Sequence, residues 1–261
     1  MSSFSFVKLH GLGNDFVLVD ERNLSRSWDQ ELIQKVLHRR LGIGADQLIF
    51  LRSSKNSDIQ VLFFNSDGSQ SGMCGNGLRA VGEFLFVKEK KKQVSVELLD
   101  RVCQVQRMND LWSVDMGGVH IVDKRGQVRV EAGTFDFTEV EIGNPHAVVF
   151  SGSPIDSEPL HLWGPQIENH IRFSQGVNVE LGFLKNRKEL DLRVWERGAG
   201  LTLACGSGAC AAMAAYRIHD QVDENVQIHL PGGRVEVHWE GPGKSMTLKG
   251  PAQWVFEGVW R

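Results

Sequence analysis

Short apolar stretches separated by glycine-rich turns run along most of the chain, and this pattern predicts strands. The first strand, Phe6 to Asp20, is interrupted at Gly11-Leu12-Gly13-Asn14-Asp15, which places Asn14 at a bulge or tight turn. Glycine-containing turns at Pro231-Gly232-Gly233 and Gly241-Pro242-Gly243 predict hairpins near the end of the chain. Further strands are predicted at Leu48–Leu51, Gln60–Asn65, Val94–Leu98, Val102–Arg107, Leu111–Met116, Ala147–Phe150, Val179–Leu184 and Leu190–Trp195.

Helical spacing interrupts this strand pattern. Ser27 is the expected N-cap of a first helix that stops at Gly42. A further helical segment is predicted near Leu160–Ile171. The apolar face expected for the first helix consists of Leu32, Ile33, Val36, Leu37 and Leu41.

Two more helices are predicted directly after two similar turns, each a cysteine followed by Gly-X-Gly. The turns are Cys74-Gly75-Asn76-Gly77 and Cys205-Gly206-Ser207-Gly208. The positive end of a helix dipole favours a thiolate, so we expect a lowered pKa and higher reactivity for both thiols. Backbone N–H groups in the same turns can hold a carboxylate.

The second half of the chain repeats the order of the first. Asn144 lies 130 residues after Asn14, and Asn178, Glu196 and Cys205 lie 131 residues after Gln47, Asn65 and Cys74. Such a long period indicates two copies of one domain rather than a solenoid. We expect the copies to face each other, each with a central helix that starts at a cysteine and with a junction near Gly117-Gly118.

Composition restricts the partners. The net charge of −3 at pH 7, with 41% hydrophobic and 23% charged residues, is ordinary for a soluble protein and predicts no nucleic-acid or membrane partner. The start of the chain lacks a signal-peptide pattern, so a cytoplasmic location is expected. There, four cysteines are expected to be reduced thiols.

Two opposed cysteines suit the inversion of a carbon that bears an acidic hydrogen beside a carboxylate. One thiolate removes the proton while the other thiol delivers one from the opposite face. The candidate N–H donors that would stabilise the developing charge are Gly75, Asn76, Gly206 and Ser207. No lysine motif of the pyridoxal type is evident, which favours a route without a cofactor.

The chain resembles the diaminopimelate epimerase family from Lys8 to Gly233. The matching stretches, which run in order along the sequence, are His10–Phe16, Gly42–Gln47, Phe64–Gly68, Cys74–Gly77, Gly143–His146, Gly176–Asn178, Glu196–Gly200, Ala204–Cys210 and Leu230–Gly233. The resemblance implies a pyridoxal-independent epimerase that interconverts LL- and meso-2,6-diaminopimelate in lysine and peptidoglycan synthesis. It also implies that the partner is this small-molecule amino-acid substrate and that Cys74 and Cys205 are the acid and base.

The resemblance further assigns substrate contacts. Arg197 suits the distant carboxylate of the substrate, together with the asparagines, and Glu196 suits an ammonium group. His146 is a possible supporting residue, and for it a loop-orienting role stays as open as a substrate contact. The implied contacts are Asn14, Gln47, Asn65, Gly75, Asn76, Asn144, Asn178, Glu196, Arg197, Gly206 and Ser207.

The family fold is α+β, with two pseudo-symmetric domains, each a mostly antiparallel sheet around a central helix. The resemblance therefore implies an N-terminal domain of residues 1–117 with a returning strand at 250–261, a second domain of residues 118–249, and a homodimer. Leu201 stands where the family usually has glutamate, and Ala80 stands where many members have cysteine. Leu201 removes a charge close to the Cys205 thiol, which bears on rate and substrate preference.

Other interpretations remain open. Another cofactor-free racemase or epimerase, of the proline, hydroxyproline or histidine type, would use the same pair of thiols. A relative that binds a small acid without using thiols is a more distant alternative. The spacing of Cys205 and Cys210 does not favour a metal site, and Cys103 and Cys210 are expected to be buried thiols.

Overall fold

The computed structural model describes residues 3–24 and 27–261, without the side chain of Ser157. The chain divides into two compact units. The first unit holds the described residues up to Val114 together with Gly250–Arg261, and the second holds Asp115–Lys249. Among the described residues, no helix is long and apolar enough to cross a membrane.

The first unit is a sheet built around two helices. Strands β1 and β2 pair antiparallel, β2 and β3 pair parallel across helix α1, and β3 and β4 pair antiparallel. Helix α2 follows the short strand β5 and precedes β6, which pairs parallel with β4. The bounds are β1 Phe4–Gly11, β2 Asn14–Asp20, α1 Gln30–Leu37, β3 Gln47–Arg52, β4 Ile59–Asn65, β5 Gln70–Ser71, α2 Gly75–Glu89, β6 Gln93–Glu97, β7 Val102–Met108 and β8 Leu111–Gly118, which ends in the second unit.

The second unit repeats this order of pairings. Strands β10 and β11 pair antiparallel, β11 and β12 pair parallel across helix α3, and β13 and β15 pair parallel across helix α4. A short 3-10 helix, Ile155–Ser157, precedes α3. The bounds are β9 His120–Val130, β10 Gly133–Glu141, β11 Pro145–Ser151, α3 Leu160–Glu168, β12 Asn178–Asn186, β13 Glu189–Glu196, β14 Gly200–Thr202, α4 Gly206–Ile218, β15 Asn225–Leu230, β16 Gly233–His238 and β17 Ser245–Gly250.

The last strand of the chain, β18 (Gln253–Trp260), belongs to the first unit. It pairs antiparallel with β1, and the pairing runs from Phe4 opposite Trp260 to His10 opposite Gln253. In the second unit, β9 pairs with β10 in the same antiparallel sense. In both units, therefore, an extra strand pairs with the first strand of the repeated order: β18 pairs with β1, and β9 pairs with β10.

Helices α2 and α4 form the centres of their units. Every residue from Gly75 to Gly82 is buried in α2, and every residue from Gly208 to Tyr216 is buried in α4. Small residues line both helices, so strands can approach them from several sides. A helix that is buried nearly all round needs this kind of sequence rather than an amphipathic one.

The two faces of β12 pack against different helices. Val179 and Leu181 belong to an apolar cluster that includes Leu160 and Trp163 of α3. On the opposite face, a Cβ added to Gly182 would lie 2.8 Å from the Tyr216 ring of α4. Because side chains alternate along a strand, Asn178 and Glu180 share the face of Gly182 that meets α4.

Several boundaries differ from the sequence prediction. The N-cap of α1 is Asp29, whose carboxylate accepts the Leu32 N–H, so the prediction of Ser27 was wrong. Leu41 lies beyond the helix and is 78% exposed. Helix α3 ends at Glu168 rather than near Ile171, which is 93% exposed. Strands β9 and β10 were not predicted in full because their exposed faces carry many charged residues.

We predict that Gly82→Ala destabilises the protein although alanine favours helices. A Cβ at Gly82 would lie 2.5 Å from the ring of Trp112, which is fully buried and whose indole N–H donates to Glu83 at 2.9 Å. We expect the free energy of unfolding to fall by about 1–3 kcal/mol, measured by urea denaturation. Gly72→Ala is the control, because nothing lies within 4 Å of its added Cβ, and equal stability of both variants would contradict the prediction.

Candidate active site

Cys74 is the N-cap of α2 in the first unit. Its extended backbone (φ −135°, ψ 111°) turns the side chain back over the first turn of the helix. There Sγ accepts the Gly77 N–H at 3.4 Å, and the thiol points to Oδ1 of Asn14 at 3.7 Å. Since Sγ takes the Gly77 N–H, the N–H groups of Gly75 and Asn76 are the first-turn donors that suit an anion.

Asn14 is held in one orientation at the start of β2. Its Nδ2 donates to Asp46 at 2.8 Å, while its Oδ1 accepts from Nδ2 of Asn76 at 3.2 Å. Asp46 also accepts the backbone N–H of Asp15 at 3.0 Å. The amide of Asn14 therefore turns its oxygen, an acceptor, toward the Cys74 thiol.

Gln47 and Asn65 lie at the same end of the sheet as Asn14. Gln47 opens β3 opposite Phe16 of β2, and it pairs with Asn65 at the end of β4. Nε2 of Gln47 donates to Oδ1 of Asn65 at 2.9 Å. The strand register alone thus brings these side chains to one edge, next to the strand that carries Asn14.

A cluster of charged side chains lies next to Asn14 and holds Asp46 in place. Lys8 pairs with Asp15 at 2.6 Å, and Arg39 binds both Asp15, at 2.8 Å, and Asp46. Burial alone would raise the pKa of Asp15, but the hydrogen bonds and charges of Arg39 and Lys8 outweigh it and lower that pKa to about 2. The cluster fixes Asp46, which in turn orients Asn14.

Cys205 occupies the equivalent position in the second unit. It is the N-cap of α4 with φ −121° and ψ 115°, and its Sγ accepts the Gly208 N–H at 3.4 Å. The hydroxyl of Ser207 lies 3.5 Å from the same sulfur. Gly206 and Ser207 are the first residues of the helix, so their N–H groups suit an anion as those of Gly75 and Asn76 do.

The electrostatics of Cys205 differ from the sequence prediction. Burial, to 5% exposure, and then the negative charges of Glu196 and Glu180 raise the pKa of the Cys205 thiol well above its usual value. The predicted lowering of the pKa by the helix N-terminus was therefore wrong for Cys205, because desolvation and two carboxylates outweigh the dipole. Cys205 is a protonated thiol at neutral pH.

Asn178, Glu196 and Arg197 come together where β12 begins and β13 ends. Oδ1 of Asn178 accepts the backbone N–H of Arg197 at 2.9 Å, and its Nδ2 donates to the Pro145 carbonyl at 3.0 Å. Thr202 donates to Glu196 at 2.6 Å. The side chain of Arg197 donates from Nη1 to the Gln175 carbonyl at 2.9 Å.

Asn144 and His146 belong to a buried chain of polar groups. Nε2 of His146 lies 2.9 Å from Oδ1 of Asn144, and Nδ1 lies 2.6 Å from Oε1 of Glu180. The side chains of His146 and Glu180 are both fully buried. Burial raises the pKa of Glu180, while the charge of His146 opposes that rise.

Comparison with known proteins identifies the family of this chain. The family model described as diaminopimelate epimerase matches residues 6–122 and 138–255. The chain belongs to the diaminopimelate epimerase family. Diaminopimelate epimerases of Carboxydothermus hydrogenoformans and Pseudomonas savastanoi pv. phaseolicola are 41% and 39% identical to it, with 98% of each chain covered in both cases.

Solved structures share the fold at lower identity. A phenazine biosynthesis protein of the PhzF family from Bacillus anthracis has a TM-score of 0.80 at 15% identity, and each chain is covered completely. A hydroxyproline epimerase from Agrobacterium vitis has a TM-score of 0.77 at 15% identity, with 100% of this chain and 91% of that chain covered. The α+β fold of the diaminopimelate epimerase family is thereby confirmed.

In this member of the diaminopimelate epimerase family, the predicted site residues form one group in each unit. The first group contains Cys74, Gly75, Asn76, Asn14, Gln47 and Asn65, and the second contains Cys205, Gly206, Ser207, Asn144, His146, Asn178, Glu196 and Arg197. Their roles toward a substrate stay predictions. Within the described residues, no group of three or more His, Cys, Asp or Glu side chains is arranged to hold a metal ion.

Sequence reasoning missed Asp46 and Glu180. Glu180 carries a detectable signal, since it is the one charged residue in the otherwise apolar run Val179–Leu184 that was predicted as a strand. A carboxylate in a buried strand requires a polar partner, and a histidine is a suitable one. Asp46 carries no such signal, because acidic residues in exposed turns are common.

We predict that Asp15→Asn makes stability less dependent on acid pH. The lowered pKa of Asp15, about 2, stabilises the folded state above the ordinary value of 3.8, and this contribution is lost as the pH falls toward 2. At pH 7 the variant should lose about 1–2 kcal/mol of unfolding free energy, and the difference from the original chain should shrink below pH 4. Denaturation across this pH range tests the prediction, with the exposed Asp100→Asn as control; a difference independent of pH would refute it.

We also predict that Glu196→Gln makes Cys205 more reactive. The carboxamide keeps an acceptor for Thr202 but removes a charge that raises the pKa of the thiol, so the thiolate fraction at pH 8 should rise. Alkylation of Cys205 by iodoacetamide, followed by peptide mass spectrometry, should become several-fold faster. Glu189→Gln, at the other end of β13, should leave the rate unchanged, and equal rates in both variants would exclude the charge effect.

Proposed function

We propose that this protein interconverts LL- and meso-2,6-diaminopimelate by a two-base mechanism without a pyridoxal cofactor. The observation that carries the proposal is the pair of N-cap cysteines. Cys74 and Cys205 occupy equivalent places in two units of equal topology, and each sulfur accepts the N–H three residues later at the same 3.4 Å. The names of the curated relatives supply the substrate.

In this mechanism the two sulfurs act on opposite faces of one α-carbon. One thiolate takes the α-hydrogen as a proton, so an S–H bond forms and the C–H electron pair stays on the substrate, delocalised toward its carboxylate. The other thiol then delivers its proton to the opposite face, and its S–H electron pair stays on sulfur. Charge is conserved, and the two cysteines end with exchanged roles.

The raised pKa of Cys205 supports different protonation states for the two cysteines in the free enzyme. A protonated Cys205 is the acid for one direction, and Cys74 is then the base. Two carboxylates near Cys205 oppose its ionisation, so a bound cationic group beside Glu196 would ease it. An ammonium group of the substrate at Glu196 is such a cation.

The carboxylate at the reacting carbon would bind the helix N-termini. The N–H groups of Gly75, Asn76, Gly206 and Ser207 belong to the first turns of α2 and α4, where helices attract anions. These donors stabilise negative charge as it develops on the carboxylate of the carbanion. Asn14, Gln47, Asn65, Asn144, Asn178 and Arg197 are left for the other amino-acid head, with Arg197 on its carboxylate.

Three further features are part of the proposal. The reaction would serve lysine and peptidoglycan synthesis, the protein would act as a homodimer, and it would be cytoplasmic. Family membership supports the pathway.

The function is tested by exchange of the α-hydrogen in deuterium oxide. The reduced protein should exchange the α-hydrogen of diaminopimelate and change its stereochemistry, measured by NMR and chiral chromatography. Cys74→Ala and Cys205→Ala should each lower epimerisation by at least about 10²-fold, since each removes an acid or base.

The matched control is Cys210→Ala, which removes a buried thiol from the same helix as Cys205. This variant should stay active. A panel with proline, hydroxyproline and histidine separates the other racemases of this type. Failure of the reduced protein to exchange diaminopimelate would refute the proposed function, and exchange of a panel member instead would name the alternative.

A further inference from the structure

The buried pair of Glu180 and His146 neither gives nor takes a proton in the transfers described above, although the charge of Glu180 raises the pKa of the Cys205 thiol. Both side chains have no exposed surface, and Oε2 of Glu180 has no hydrogen-bond partner among the described residues. Desolvating a carboxylate and an imidazole is expensive, and replacement of such pairs by apolar residues is often neutral or stabilising. The pair therefore needs an explanation other than stability.

The first unit provides an internal comparison for this pair. His146 lies opposite Asn178 in the β11–β12 register, as Phe16 lies opposite Gln47 in the β2–β3 register. Two residues further along, Glu180 occupies the place that Ile49 occupies in the first unit. Phe16 and Ile49 are fully buried, so the same architecture forms with apolar residues at both positions.

The glycine at position 208 is adapted to the carboxyl group. A Cβ added to Gly208 would lie 2.8 Å from Oε1 of Glu180, closer than real side chains approach. The first turn of α4 thus leaves room for the oxygen that binds His146. The equivalent Gly77 instead faces the ring of Phe63, at 2.5 Å from an added Cβ.

The chain of hydrogen bonds fixes the direction of the Asn144 amide. Oδ1 of Asn144 faces Nε2 of His146 at 2.9 Å, and because an amide oxygen only accepts, this contact is a hydrogen bond in the tautomer that carries a proton on Nε2. The other proton of the pair lies in the 2.6 Å contact between Nδ1 and Glu180. Whichever of these two atoms holds it, Nε2 keeps its own proton, and Nδ2 of Asn144 is turned away from the histidine.

Asn144 and its counterpart Asn14 therefore present different atoms. Nδ2 of Asn14 donates to Asp46, so Oδ1 of Asn14 faces the Cys74 thiol. Oδ1 of Asn144 is hydrogen-bonded to His146, and no hydrogen bond joins Nδ2 of Asn144 to another described residue. The half-buried Asn144 thus offers a donor, and a donor suits a carboxylate, which can only accept.

We propose that Glu180 is a positioning residue that, through His146, holds Asn144 as a hydrogen-bond donor for the substrate carboxylate remote from the reacting carbon. This inference rests on the proposed function for the identity of the substrate. Without Glu180, the imidazole is free to protonate Nδ1 instead of Nε2, and the Asn144 amide can turn its oxygen toward that carboxylate. The effect falls on substrate binding, because the remote head binds equally in the ground and transition states.

The kinetic test replaces His146 and Glu180 by the residues at the equivalent positions of the first unit, phenylalanine and isoleucine. Glu180→Ile and the double variant His146→Phe/Glu180→Ile should raise KM about tenfold, the equivalent of one lost oriented hydrogen bond. Loss of the Glu180 charge also changes the pKa of the Cys205 thiol and with it kcat, so KM is the constant that tests positioning. The thermal midpoint of the double variant should not fall. Glu180→Gln should stay near the original KM, since its carboxamide can donate to Nδ1 and keep the Nε2 proton.

Two controls separate positioning from general damage. In an Asn144→Ala background, Glu180→Ile should change KM less than about twofold, because the residue it acts through is gone. Glu236→Gln, on the exposed side of β16, should leave both kinetic constants unchanged. An unchanged KM in the double variant, or a full Glu180→Ile effect in the Asn144→Ala background, would overturn the inference.

A spectroscopic readout is independent of activity. Long-range ¹H–¹⁵N correlation spectra of protein with labelled histidine should show a protonated Nε2 on His146, assigned by its loss in His146→Phe among the nine histidines of the chain. Glu180→Gln should retain that state and Glu180→Ile should lose it. An Nε2 without a proton in the original chain would refute the inference even if the epimerase is active, whereas inactivity with diaminopimelate would refute only the proposed function.

Discussion

Two hydrogen bonds, from a backbone N–H to a cysteine sulfur, organise this protein. Each closes the first turn of a helix that is buried nearly all round, so the thiol is fixed at the helix start while the remaining first-turn donors point outward. Sulfur is a weak acceptor, and a serine or aspartate would cap the helix better. Cysteine at both N-caps therefore provides a reactive thiol but stabilises the helix less than serine or aspartate would.

The duplicated units have diverged in charge more than in shape. Strand order and register repeat from one unit to the other, yet the first unit orients its asparagine with Asp46 and the second with His146. Carboxylates also gather near Cys205, through Glu196 and Glu180. A substrate with one amino-acid head at the reacting carbon and another at a distance is itself asymmetric, and this divergence fits that asymmetry.

Much of the fold could be predicted, because glycine-rich turns and short apolar runs mark the strands and the 131-residue offset reveals the duplication. The helix caps at Cys74 and Cys205 followed from the same turns. The pKa of Cys205 could not be predicted, since it depends on burial and on Glu180. Glu180 lies 25 residues earlier in the chain, and only the folding of β12 against α4 brings it close to Cys205. The extent of α1 and α3 was also overestimated, because Leu41 and Ile171 continue the apolar pattern yet lie exposed beyond the helix ends.

The pairing of β18 with β1 has a consequence for biosynthesis. Phe4 pairs with Trp260, so the sheet of the first unit lacks a strand until residues 253–260 have left the ribosome. The second unit has all of its own strands earlier, and it can fold while β1 still has an open edge. Contacts of such high sequence separation are slow to form, and an unpaired edge invites association with other chains. The nascent protein therefore depends on β18, and a message truncated before the codons of this strand would yield an aggregation-prone product rather than a shortened enzyme.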